Sequence, residues 1–116
     1  MGRDDVEAAY FTLLRARTEL DGLRRYEEYL ERERQRILRW ISEGAALADT
    51  VDRRHRRPLA TADQHLDELL RDRLALLADE MRQVPDRIVA AEVFVEACDQ
   101  EHQHLASGRS AGEQGR

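Results

Sequence analysis

From Val6 to Ile41 the apolar residues recur at alternating spacings of three and four. Val6, Leu13, Leu20 and Ile41 occupy one heptad position, and Ala9, Ala16, Leu23, Leu30 and Ile37 occupy the other. The residues between them are rich in Glu and Arg and include no proline, so the pattern predicts one long helix carrying an apolar seam. Asp4 and Asp5 suit the free amides and partial positive charge of a helix start. Leu47 and Val51 keep the spacing, which favours a helix over 4–52 with Gly44 inside it rather than serving as its cap. Asp21 with Arg25 and Glu28 with Arg32, each four apart, are expected to pair on the solvated side. Glu27 and Arg34 interrupt the seam on the heptad position of Leu20 and Ile41. A straight helix drifts against a strict heptad, so Tyr26 and Leu38 are expected to replace them as the buried neighbours.

Pro58 lacks the amide that a helix interior needs and is expected to end the first arm in a turn over 53–60. Thr61 with Gln64 forms a capping box, and Leu66, Leu70, Leu74, Leu77, Met81 and Val84 make a helical stripe, giving helix 2 over 61–84. Pro85 either kinks this arm or opens a third helix. Ile88, Ala91, Val95, Cys98 and Leu105 keep helical spacing over 86–105 despite the β-branched residues among them. Residues 106–116, mostly Gly, Ser and charged residues, have nothing to bury and are expected to form a disordered tail. The predicted fold is all-α: one domain over 1–105, a long antiparallel helical hairpin with a kinked or broken second arm, hence three helices. Two helical layers make a thin core, which dimerisation into a bundle would complete.

Composition narrows the chemistry. Of 116 residues 37% are charged and only 5% aromatic, which fits amphipathic helices better than a densely filled core. All 19 basic residues are Arg, so Schiff-base and P-loop lysine chemistry are excluded; the usage suits a GC-rich bacterial genome. A net charge of −5 argues against general affinity for nucleic acid or an anionic membrane. Cys98 is the single cysteine, no apolar run spans a bilayer, and the first residues carry neither an apolar leader nor an acylation motif. The expectation is a soluble protein of the reducing cytoplasm without membrane contact.

Several clusters remain as candidate sites. Arg53, Arg54, Arg56 and Arg57 flank His55 at the hairpin turn and could clamp a phosphate, a nucleic-acid backbone or an acidic protein. The plainer reading weighs more: a solvated link whose guanidinium groups neutralise helix-end carbonyls and nearby Asp49 and Asp52. Cys98, Asp99, Glu101, His102 and His104 gather potential metal ligands, with Cys98 and His102 one turn apart. No paired-cysteine or H-x-x-E-H spacing accompanies them, so no metal and no cofactor is assigned. His55 and His65 read as surface residues. Tyr29 and Trp40 flank the seam as possible interface anchors, and adjacent Tyr10 and Phe11 cannot both enter one narrow seam, so one of them is expected to meet a second chain.

One long helix, a proline-bearing link and two shorter helices resemble, as architecture, the all-helical chorismate mutases, whose dimers bind a dicarboxylate with Arg and Lys. Arg17, Arg34 and the segment from His55 to Leu70 are the closest pieces, and the resemblance implies a small helical enzyme. The chain departs from that pattern in having no lysine. Gln64 and His65 stand where an Arg-Glu pair is expected, and His102 or Gln103 where a late Gln is expected. The leading expectation is therefore a non-enzymatic helical interaction module in a regulatory or scaffolding role. It would form a homodimer and bind another protein through Tyr10, Phe11, Tyr29, Trp40 and the Arg53, Arg54, Arg56 and Arg57 cluster. A nucleic-acid-associated factor using that cluster comes second and the enzyme third.

Overall fold

The computed structural model describes the backbone of residues 2–49 and 56–114 and the side chains of residues 2–46 and 61–108. Among them there is no strand. Helix α1 spans Arg3–Asp49 and helix α2 spans Arg56–Gln114, and the two pack as a helical hairpin. The start of α1 is fixed by reciprocal bonding: the Asp5 amide donates to the Gly2 carbonyl at 3.1 Å and the Gly2 amide donates to Asp5 Oδ2 at 3.2 Å. That is capping-box logic with Asp in the third helical position.

The second arm is one helix, so of the two expectations for Pro85, a kink or the start of a third helix, the third helix is not formed. Pro85 lies within α2 without ending it. Proline removes one intrahelical hydrogen bond, and Pro85 is exposed, so the carbonyl one turn earlier loses its partner on a side open to water. Pro58 likewise does not close an arm. Because α2 begins at Arg56, Pro58 is its third residue, in the first turn where amides have no intrahelical acceptor. Thr61 is thus inside α2 rather than at its cap, and Gln64 donates to Glu68. The helix also continues past Leu105, through residues expected to be disordered, to Gln114.

Contacts divide the chain into two units. Unit 1 comprises Met1–Tyr26 with Val84–Arg116, and unit 2 comprises Glu27–Gln83. In unit 1 the two helices run antiparallel: Arg17 pairs with Asp99 at 3.7 Å, and the Tyr10 ring lies 5.5 Å from His102. Its core joins Leu13 and Ala16 to Cys98, with Val95 packed against them, and Leu20, Val84 and Ile88 are also buried. In unit 2 the buried apolar residues are Leu30, Ile37 and Leu77.

Every apolar residue assigned to the α1 seam from Val6 to Ile41 is buried or half-buried, and Glu27 and Arg34 are exposed. Tyr26 takes one interrupted position, as expected from helical drift. Leu38 does not take the other: it is exposed, and Glu33 occupies the seam between Leu30 and Ile37. The expected surface pairs also shift. Asp21 meets Arg24 rather than Arg25, and Arg32 donates to the Glu28 backbone carbonyl.

Candidate functional site

In unit 1, α2 is apolar on more than its packed side. Ile88, Ala91, Val95 and Cys98 recur at helical spacing and are buried or half-buried. Val89, Val93 and Phe94 are 60%, 65% and 53% exposed, and Ala90 and Ala97 beside them are exposed too. Spacings of one and four place these five residues in a broad stripe directed away from the packed face. On α1, neither Tyr10 nor Phe11 enters the seam. Both are exposed, their rings 5.9 Å apart, and the Tyr10 ring also lies against His102, tilted by 45°.

The metal-ligand types near the C-terminus are engaged separately. Cys98 packs against Leu13 and Ala16, Asp99 pairs with Arg17, and His102 lies against Tyr10. Among the described residues no three His, Cys, Asp or Glu side chains converge in a way that could hold a metal ion. Cys98 borders an open cleft of about 450 Å³ with Ala8, Ala9, Thr12, Glu101 and Leu105.

Unit 2 carries a polar arrangement that its sequence conceals. Glu33 is only 5% exposed, and its Oε1 accepts from Arg36 at 3.1 Å and from Arg73, on the opposite helix, at 3.2 Å. Burying a carboxylate is tolerable here because two guanidinium groups solvate it. Both Arg side chains stay about half exposed, leaving other donors at the surface. The Arg36 guanidinium also stands over the Trp40 ring at 4.9 Å, which fixes an exposed indole beside the network. Next to it is a groove of about 370 Å³ lined by Trp40, Ile41 and Gly44 of α1 and by Asp63, Leu66 and Leu70 of α2, among others.

Tyr29 and Trp40, both expected at an interface, are exposed at helical spacing with Arg36 between them. Arg53, Arg54 and His55 lie outside the described residues; Arg56 and Arg57 fall in the first turn of α2, and their side chains lie outside them as well. Arg34 pairs locally with Glu31, and Arg17 with Asp99. The chain forms two long helices, where the layout it was compared with has one long helix and two shorter ones. Sequence reading missed Glu33 because it sits in a run, Glu31 to Arg36, that looks uniformly solvated. The available signal was the gap in the seam midway between Leu30 and Ile37. No described helix is long and apolar enough to cross a membrane. Compared with known proteins, the chain matches no family model, no curated protein sequence and no solved structure.

Proposed function

We propose that this chain is a non-enzymatic helical interaction module with a regulatory or scaffolding role, and that it engages another protein through the Val89, Val93 and Phe94 stripe of α2. The observation that carries this reading is that α2 from 88 to 98 is apolar both toward α1 and away from it. Glu92 and Glu96 occupy only one flank of this stretch, and a contiguous exposed apolar patch marks a contact surface. The partner surface that fits is an amphipathic helix or an apolar groove, read by side chains one turn apart. Tyr10 and Phe11 add exposed aromatic area in the same unit.

A photoreactive phenylalanine analogue at position 93, introduced in the cells that make the protein, tests this directly. A single discrete adduct is expected on irradiation, absent when the analogue replaces Asp72 or Arg15 on polar faces. Absence of an adduct at position 93, or an equal smear from all three positions, would overturn the reading.

A further inference from the structure

We infer that the Trp40 face of unit 2 is a self-association surface, on which two copies of this chain meet about a two-fold axis with Arg36 of each against Glu43 of the other. This goes beyond the module reading, since it uses a different face and a different partner.

The face is built from two stripes. On α1, Tyr29, Glu33, Arg36, Trp40 and Glu43 follow one another at spacings of four, three, four and three. On α2, Leu66, Leu69, Arg73 and Leu76 follow at three, four and three. Arg73 of the second stripe reaches Glu33 of the first, and Leu66 lines the same groove as Trp40, so both stripes border one side of the unit. Trp40, Leu66, Leu69 and Leu76 are all about half exposed or more, which is a large apolar surface for a two-helix layer to leave in water.

What selects a second copy as the occupant is the order of charges. Arg36 precedes Trp40 by one turn and Glu43 follows it by three residues, so the indole is flanked by a cation at one end and an anion at the other. Along the groove, α2 carries its charges in the same order. Arg73 lies at the Arg36 end, where both hold Glu33, and Asp63 lies at the other end, lining the groove with Gly44. A two-fold axis lying in the interface and crossing the helices at right angles lays one face on the other with its ends exchanged, so each cation meets an anion of the copy and the apolar centres coincide. The midpoints agree as well. Arg36 and Glu43 are centred between residues 39 and 40, Asp63 and Arg73 on residue 68, and Trp40 and Asp67 line the same stretch of groove. One axis thus serves both helices and sets Leu66 of one copy near Leu69 of the other. A parallel arrangement would set Arg36 on Arg36 and is disfavoured.

A charge exchange tests the geometry. Light scattering of the full chain is expected to give twice 13.5 kDa at high concentration. Arg36→Glu and Glu43→Arg should each raise the dimer dissociation constant at least about tenfold, and a 1:1 mixture of the two variants should recover near wild-type association, because the mixed pair restores opposite charges at both ends. Leu69→Arg should give a monomer of unchanged helicity by circular dichroism, which keeps the test decisive if Arg36→Glu does not fold. The proposal is overturned if wild type stays at one chain mass, if Leu69→Arg associates as wild type does, or if the mixture associates no better than its components. A monomeric wild type that still forms the position 93 adduct would remove this surface and leave the interaction-module reading standing.

Discussion

The two units solve the same packing problem with different chemistry. In unit 1 the seam is entirely apolar, from Leu13, Ala16 and Leu20 to Ile88, Val95 and Cys98, and the apolar character of α2 extends to its outer face. Unit 2 instead places a carboxylate between Leu30 and Ile37 and ties it across the hairpin to Arg73. An apolar seam buries surface without specifying register, because a slide of one turn sets other apolar residues opposite one another. A buried carboxylate is less permissive: displaced by one turn it keeps Arg36 but leaves Arg73, so the native register holds a cross-helix ion pair that a shifted one lacks. Unit 1 is therefore the adhesive half of the hairpin and unit 2 the half that sets its alignment. The same division shows outside the seams. The unit 1 stripe of Val89, Val93 and Phe94 is flanked by the carboxylates Glu92 and Glu96, whereas Trp40 and Leu69 each have an arginine one turn away.

The largest effects should come from the buried seam residues themselves. Ile37 in unit 2 and Leu13 in unit 1 are 0% and 2% exposed. Truncating either to alanine removes most of a buried side chain and leaves a void that two helices cannot readily close, for a loss of about 2–5 kcal/mol. Urea denaturation followed by circular dichroism would report it as a lower midpoint at unchanged slope. A cost below about 1 kcal/mol at one site and not the other would break the comparison, because one unit would then lack a real core.

That expectation was already readable from the sequence, as were the helical class and the hairpin. Apolar residues three and four apart leave little choice once no proline interrupts them, and Val6 through Ile41 are all placed as that spacing requires. Less was legible where one residue type has two physical uses. Proline usually ends helices, yet Pro58 falls in a first turn and Pro85 on an exposed side, where the missing hydrogen bond costs less. Glu33 illustrates the same limit for charge: nothing local separates it from Glu31 or Glu28, and its burial depends on Arg73, forty residues away. The apolar pieces around Val89 and Val93 were legible as helix, but their exposure depends on which side α1 covers.

Glu33 gives the next test of the contrast, at intermediate size. Replacing it with leucine makes the unit 2 seam resemble that of unit 1. Arg36 and Arg73 remain solvated because each is more than half exposed, so no charge is stranded. Stability should stay level or rise by about 1 kcal/mol, the usual outcome when a buried ion pair is exchanged for an apolar residue. Arg73→Ala should cost less than about 1 kcal/mol, since Arg36 still holds the carboxylate and the lost pair is screened by water. The alignment argument requires more than a stability value. Cross-linking between single cysteines placed on the two helices of unit 2, in a chain with Cys98 replaced by Ala, should yield one register in the parent and several in the Glu33→Leu variant. A single register in both would take the aligning role away from Glu33.

The smallest effect separates the two halves of α1 through their glycines. Gly22 in unit 1 and Gly44 in unit 2 are both within the helix, neither has positive φ, and a Cβ built on either meets nothing within 4 Å. Alanine therefore adds helix propensity without a clash, worth up to about 1 kcal/mol in a helix interior. Gly22 has more than five helical turns on its C-terminal side, whereas Gly44 is five residues from Asp49, the last described residue of α1. Gly22→Ala should accordingly raise the thermal midpoint by more than Gly44→Ala, roughly twice as much if the gain scales with how often each position is helical. Equal gains would mean that α1 is as firmly helical near its end in unit 2 as at its middle. A loss at Gly44 would mean instead that the groove beside Trp40 closes on this position in solution, and the Trp40 face would then be narrower than the open groove implies.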